Sequence, residues 1–173
     1  IPFDAAKAAL GEWLYHDTRF SKDNSISCAS CHAFEKGGTD NLQFSVGVGG
    51  LKGGVNAPTV FNAVFNMRQF WDGRARHLVE QAGGPPLNPV EMACENWDEI
   101  IAKLEQDAAL KKAFTALYPE GFSEATLCGA IAEFERRLIT PGSRFDRYLA
   151  GEKNALSEKE VKGYTAFQTH RCT

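Results

Sequence analysis

The sequence of 173 residues lacks long apolar runs and lacks an excess of positive charge. No apolar stretch approaches the roughly 18 residues that a membrane-spanning helix needs. Lysine and arginine number 19 against 22 aspartate and glutamate residues, so the formal net charge is −3. Because the basic residues are scattered rather than clustered, the chain has no electrostatic footprint for nucleic acid, and we expect no nucleic-acid partner.

Cysteine and histidine are also scarce, yet three of them stand together. The chain has five cysteines and four histidines, and it contains the complete C-x-x-C-H motif Cys28-Ala29-Ser30-Cys31-His32. This motif is the attachment signature of a c-type haem. Two thiols at this spacing can form thioethers with the two vinyl groups of one haem, and the adjacent imidazole can bind its iron. Coincidence explains the motif poorly, and we predict a covalent haem.

Two other interpretations of the motif are weaker. A zinc site would need a second pair of ligands at metal spacing, and the remaining cysteines and histidines stand far apart. A thioredoxin-like dithiol would lie between a strand and a helix, whereas residues 21–27 read as a polar loop after a helix. Cys94 and Cys128 could either form a disulfide or remain as two buried free thiols, and the sequence does not decide between these possibilities.

Apolar residues recur at helical spacing and predict a mainly α fold. One amphipathic stripe covers residues 3–14, and a second begins at Trp97, with Asp98 as the expected N-cap, and continues through Leu117. A third covers residues 127–138, and residues 157–160 form a capping box that opens the last helix. With 43% apolar residues, a chain of this length can bury one core.

The segment between Gly37 and Gly54 contains seven glycines in 18 residues, too many for a helix or a central strand. We expect a long ordered loop that lines or covers the haem. Further along the chain, three prolines at positions 85, 86 and 89 precede Glu91 and restrict its backbone.

The sixth position on the haem iron separates two functions. A haem with histidine on one face and methionine on the other is a closed electron carrier, whereas an open position can bind and activate a peroxide. The chain has only two methionines, Met67 and Met92. Met92 follows His32 by 60 residues, a suitable separation for an axial ligand. The residues alone therefore leave both functions open.

Several segments resemble the bacterial di-haem cytochrome c peroxidase family. They occur in order and without large gaps, at residues 14–21, 27–32, 37–40, 56–62, 69–74, 88–92, 134–136 and 140–146. The resemblance implies a cytochrome c-like haem domain with long glycine-rich loop insertions. It places the peroxidatic haem c domain in residues 1–150, and a connector with the start of a truncated second haem c domain in residues 151–173. Cys172 would begin the second attachment motif, with a lone C-terminal thiol as the alternative.

The resemblance also implies an activity, the reduction of hydrogen peroxide to water at a haem with an open distal site. Cys28 and Cys31 would hold this haem, and His32 would be its proximal iron ligand. Glu91 matches the family's distal carboxylate, which relays a proton during O–O cleavage, and Gln81 matches a distal amide.

The resemblance assigns two further residues and several partners. Trp71 matches the tryptophan that carries electrons between the two haems, and Asn56 matches a ligand of a calcium ion. Electrons would come from a small redox protein or a quinol through the second haem, and a homodimer is allowed. Because covalent haem is attached outside the cytoplasm, we expect a periplasmic, exported protein whose export signal is either removed or not included in this sequence.

The chain departs from many family members at Val48. This residue stands where they have a histidine that caps the peroxidatic iron in the oxidised enzyme, and valine cannot bind iron. We therefore expect a constitutively open site rather than activation by loss of a histidine. Two alternatives remain open, an electron-transfer cytochrome with Met92 as sixth ligand, and a protein side-chain oxidase similar to the methylamine dehydrogenase maturation enzyme.

Overall fold

The computed structural model describes residues 1–171 and confirms the prediction of a mainly helical chain, since about 50% of it is helix. The α-helices are α1 (Ala5–Tyr15), α2 (Cys28–Cys31), α3 (Leu78–Ala82), α4 (Trp97–Leu104), α5 (Ala108–Leu117), α6 (Glu124–Glu135), α7 (Arg144–Leu149) and α8 (Glu158–Thr169). Short 3₁₀ turns occupy Thr18–Phe20, Phe34–Lys36, Val48–Gly50, Ala63–Phe65, Pro85–Leu87 and Lys153–Ala155. Within the described residues β-structure is limited to isolated bridges, and no helix there is long and apolar enough to span a bilayer.

The chain packs as two compact units, one of residues 1–139 and another that begins at Thr140. The first contains α1 to α6. In the second, Ser157 caps α8 through the predicted capping box with Glu160, whose carboxylate also pairs with Arg144 at 2.6 Å. The division of function between residues 1–150 and 151–173 stays a prediction, and Cys172 lies outside the described residues.

The core of the first unit forms where α1 crosses α6. Leu10, Leu14 and Tyr15 of α1 are buried together with the apolar side chains of α6. Gly11 is the residue that permits this crossing, because a Cβ placed on it would overlap the carbonyl group of Ala130, with the carbonyl carbon at only 2.6 Å. The two helices therefore meet backbone to backbone at this point.

We expect Gly11→Ala to lower the free energy of unfolding by about 3 kcal/mol or more, because the added methyl group forces the two helices apart. The matched control is Gly129→Ala on α6, where the nearest atom to the new Cβ is the Tyr118 hydroxyl at 3.8 Å. Alanine in that helix interior should raise the stability by about 0.5–1 kcal/mol. Denaturant unfolding of the haem-loaded variants measures both. Equal stability of the two variants would contradict the close crossing.

The structure corrects the predicted helix that starts at Trp97. Asn96, rather than Asp98, is the N-cap, since its side chain accepts a hydrogen bond from the Glu99 backbone N–H. The apolar stripe is also divided into two helices, because Asp107 caps a new helix, α5, with its carboxylate. A side chain that accepts hydrogen bonds from the backbone competes with continuation of the preceding helix.

Candidate haem site

A cavity of about 360 Å³ lies beside α2, and it brings the sequence-predicted site residues together. Those that line it are Cys28, Cys31, His32, Asn56, Trp71, Gln81 and Glu91. They come from α2, from α3 and from three loops that are separated by up to 63 residues in sequence. Residues that the motifs place apart in the chain thus face one space.

The two attachment cysteines lie on α2, which begins at a capping box. The Ser27 backbone N–H donates to Ser30 Oγ at 3.0 Å and closes the first turn. Burial raises the pKa of the Cys28 thiol to about 12, and it also raises the pKa of Cys31. A raised thiol pKa disfavours the thiolate form that a metal–thiolate centre requires.

His32 ends α2, and its ring is oriented by the glycine-rich loop. Its Nδ1 lies 3.2 Å from the Gly38 carbonyl oxygen. A carbonyl can only accept, so Nδ1 carries the proton and Nε2 keeps the lone pair that a metal ion requires. Burial lowers the pKa of His32, which favours the neutral imidazole. From α1, the Tyr15 hydroxyl donates to the His32 carbonyl at 3.2 Å and ties this turn to the core.

Glu91 is held by a turn that starts at Asn88. Asn88 Nδ2 donates to Glu91 Oε1 at 2.6 Å, while Asn88 Oδ1 accepts from the Val90 N–H. Burial raises the pKa of Glu91, and the charge of Arg74 and the Asn88 hydrogen bond oppose that rise. Glu91 is therefore a positioned carboxyl with a pKa above its ordinary value.

The glycine-rich loop contacts the backbone of this turn. The Val48 N–H donates to the Glu91 carbonyl oxygen at 2.8 Å. A Cβ on Gly47 would lie 2.7 Å from Glu91 Cα, so this position admits no side chain without movement. Among the described residues, the cavity is lined by Gly47 and not by Val48. The loop lines the cavity, one of the two arrangements that the sequence predicts, and it also contacts the backbone of Glu91.

Trp71 and Asn56 meet at the cavity rim, where the Trp71 Nε1–H donates to the Asn56 carbonyl oxygen at 3.0 Å. Trp71 is 64% exposed. Nearby, the Arg74 guanidinium lies 3.5 Å from the Phe70 ring centroid and pairs with Asp72. The indole of Trp71 is therefore accessible from outside the cavity.

Met92 and Met67 occupy different environments. Met92 is 3% exposed within the apolar core and also reaches the cavity wall, whereas Met67 is 94% exposed. Of the two thioethers, only Met92 is placed where it could approach a cofactor. Cys94 and Cys128 are both buried free thiols, as one of the two alternatives for them predicted.

Three cavity residues received no role from the sequence alone. Arg74 and Glu135 fall inside segments that resemble the family, and Asn88 could have been recognised from the Asn-Pro turn that precedes Glu91. Glu135 is the least expected, because it is a carboxyl on α6 that is 5% exposed and lines the cavity. Nothing in the local sequence indicates that Glu135 lies near Cys28 of α2.

The donor set fits a haem. The cavity supplies two thiols at attachment spacing, an imidazole whose Nδ1 is held by the Gly38 carbonyl, and largely apolar walls. Within residues 1–171 no three His, Cys, Asp or Glu side chains converge as a metal-ion site would require, so a zinc centre is not built here. A helical fold around such a cavity defines a c-type haem-binding domain.

Comparison with known proteins identifies the family more narrowly. The family model described as "Di-haem cytochrome c peroxidase" matches residues 5–154, and the chain belongs to that family. It is 59% identical over 172 residues to cytochrome c peroxidase Ccp of Escherichia coli strain K12, covering 99% of this chain and 37% of that protein. It is 46% identical to cytochrome c551 peroxidase of Nitrosomonas europaea, covering 99% and 51%.

A solved structure, that of a MauG-like protein associated with microbial copper homeostasis, superposes with a TM-score of 0.85 at 34% identity. The match covers 96% of this chain and 49% of that one. The chain thus spans about half or less of the length of these relatives. Its helical haem-domain fold is confirmed, and the domain binds haem c as the family does.

Proposed function

We propose that this chain is the peroxide-reducing haem domain of a longer di-haem protein, which converts hydrogen peroxide to water with electrons from an external donor. One observation carries the proposal. Glu91, a positioned carboxyl with a raised pKa, lines the same cavity as the haem-attachment residues Cys28, Cys31 and His32. The 59% identity with a protein named cytochrome c peroxidase supports the same reaction.

The residues of the cavity have different roles in the proposed reaction. Cys28 and Cys31 would hold the haem, and His32 would bind its iron through Nε2; when bound, the haem supplies the electron chemistry. Glu91 accepts a proton from one oxygen of hydrogen peroxide and delivers it to the other, so that the leaving oxygen departs as water. Asn88 fixes Glu91 Oε1 for this transfer. Gln81 offers an amide that can orient the peroxide in the same space.

Met92 is the observation that favours a second function, an electron-transfer cytochrome, since its side chain reaches the cavity wall. The resting spin state of the iron(III) haem separates the two. We expect a high-spin signal by electron paramagnetic resonance and absorption, because Val48 offers no ligand where many family members have a histidine. A fully low-spin spectrum with a sulfur-to-iron charge-transfer band would contradict the peroxidase and favour the carrier. Met92→Leu would then abolish that band.

The side-chain oxidase alternative has weaker support, since identity with the MauG-like structure is 34% against 59% with the peroxidase. Several finer points stay predictions. They are the donor, either a small redox protein or a quinol, the electron route through Trp71, the homodimer and the periplasmic location. Calcium is also a prediction, because the described residues bring no cluster of carboxylates to Asn56, and one amide oxygen is a small part of the six to eight donors that calcium takes.

A further inference from the structure

Glu135 is a buried carboxyl that the proposed reaction does not use. It lies at the end of α6, is 5% exposed and lines the haem cavity. Its electrostatic neighbours are the Tyr15 hydroxyl of α1 and the Cys28 thiol of α2. The carboxyl therefore lies beside the attachment helix, within the wall that encloses the cofactor.

Burial is the only influence on the pKa of the Glu135 carboxyl, and among residues 1–171 none forms a hydrogen bond or ion pair with it. The Tyr15 hydroxyl donates elsewhere, to the His32 carbonyl. Burial raises the pKa values of both Tyr15 and Cys28, so neither carries charge near neutral pH. Of the other buried acids, Asp17 pairs with Arg19, and Asp40 accepts a backbone N–H through Oδ1 while its Oδ2 is buried without a hydrogen-bond partner.

Charged groups on the elements around Glu135 are engaged with one another. On α6 and just beyond it, Glu133 pairs with Arg136, and Arg137 pairs with Glu12 of α1. On α3, which packs against α6, Glu80 pairs with Arg76 at the surface. In the cavity, Arg74 pairs with Asp72. Burial is the only cause that shifts the pKa of Glu135, which it raises to about 8.

A carboxyl in this setting responds to the charge of what the cavity contains. An unpaired carboxylate in a low-dielectric wall is costly, so the neutral acid is favoured unless a positive charge lies nearby. An iron(III) haem carries one more positive charge than an iron(II) haem. Oxidation of the cofactor thus favours the carboxylate, and reduction favours the protonated acid.

We propose that Glu135 takes up a proton when the haem of this cavity is reduced and releases it when that haem is oxidised, which couples the haem's reduction potential to pH. In the reductive step one electron from the donor enters the haem and one proton from solvent enters the carboxylate, so the charge inside the wall is unchanged. Glu135 affects the reaction only through the reduction potential of the haem, so it is a positioning residue and not a catalytic one. The proposal rests on haem being held in this cavity, and it does not require the reaction with peroxide.

The test is a redox titration of the haem-loaded full-length protein between roughly pH 5 and pH 9, following the absorption band of the haem held by this chain. The reduction potential of the haem should fall as pH rises. The fall should be at most about 59 mV for each pH unit, which is the constant for transfer of one electron. Glu135→Gln should remove this dependence while Glu133→Gln, on the same helix but paired with Arg136, should retain it. A slope that persists in Glu135→Gln, or that is lost in Glu91→Gln instead, overturns the proposal.

A second measurement covers the case in which Glu135→Gln does not fold. In the wild type and in Glu91→Gln, redox-triggered infrared difference spectra should show the C=O stretch of a protonated carboxyl appearing on reduction and shifting in D₂O. Absence of that band overturns the proposal. A protein that shows the band and the slope but does not react with peroxide would refute the proposed function and retain the role of Glu135.

Discussion

Replacing Glu91 by glutamine is expected to slow the reaction of the iron(III) protein with hydrogen peroxide by ~10²-fold or more, the usual size of a general acid–base contribution. The amide keeps the volume of the side chain, and its oxygen can still accept the hydrogen bond from Asn88, so the geometry is retained. What is lost is the ability to take a proton from one oxygen and give it to the other. Stopped-flow absorption after mixing with peroxide measures the rate constant.

The pH dependence of that rate has a definite sign. Glu91 must be ionised to accept the first proton, so the wild-type rate constant should fall as pH drops through its pKa. Burial raises that pKa, and the fall therefore begins at a higher pH than for an ordinary glutamate. In Glu91→Gln this pH dependence should disappear.

The matched control is Glu95→Gln, which removes a carboxylate four residues further on that pairs with Lys22 at the surface. Its haem content, rate constant and pH profile should equal those of the wild type. If Glu91→Gln with full haem content reacted as fast as this control, Glu91 would be a structural turn residue and the proton relay would have to lie elsewhere.

The second large effect concerns steady turnover of residues 1–173 alone, compared with a longer protein that includes a second haem domain. Reduction of hydrogen peroxide to two waters consumes two electrons and two protons, and one iron(III) haem can supply only one of these electrons. We expect sustained turnover with the natural donor from the longer protein and near-background turnover from the shorter chain. Donor oxidation followed at 1:1 additions of peroxide measures the difference.

Without a second haem to supply the second electron, residues 1–173 alone should form a radical. We expect either a porphyrin radical or a protein radical after peroxide addition, and we place the protein radical at Trp71, because this indole stands exposed at the rim of the cavity. Electron paramagnetic resonance detects the radical, and Trp71→Phe should change its signal. The control is Trp13→Phe, which removes an exposed tryptophan of α1 and should leave the signal unchanged. Equal turnover by both proteins without any radical would show that the second haem is dispensable and that the two-haem mechanism is wrong.

Local chemistry explains which parts of the structure were predictable from the sequence. The C-x-x-C-H motif and the capping box at Ser157 each depend on residues within one or two turns of each other. The stripe predicted over residues 3–14 is confirmed only in part, because Leu10 and Leu14 are buried whereas Phe3 and Trp13 are each 43% exposed. The sequence predicts one continuous helix where the structure has α4 and α5. The signal for the break is local, because Asp107 caps α5, but the apolar stripe continues through Asp107 and hides it. The spacing of apolar residues predicts where a helix can form, but it does not show where a capping side chain ends one helix and begins the next.

Glu135 could not be predicted because its burial depends on what surrounds α6. This helix buries eight of its twelve residues, so it is enclosed on more than one face and has no clear polar side. Which of its carboxyls points inward is decided by the packing of α1 and α3 against it, and the local pattern contains no information about that. Glu91, by contrast, was accessible through the family resemblance, and the structure added the Asn88 and Gly47 contacts that hold it.

The partial burial of the attachment cysteines bears on when the haem is attached. A thiol reacts through its thiolate, and the pKa of about 12 at Cys28 leaves almost none of that form in the folded chain. The Tyr15 contact with the His32 carbonyl closes α1 over the same turn. We therefore expect the thioether bonds to form faster while this segment is open to solvent than after α1 has packed over it, which can be measured by comparing haem attachment to the unfolded and the folded apoprotein.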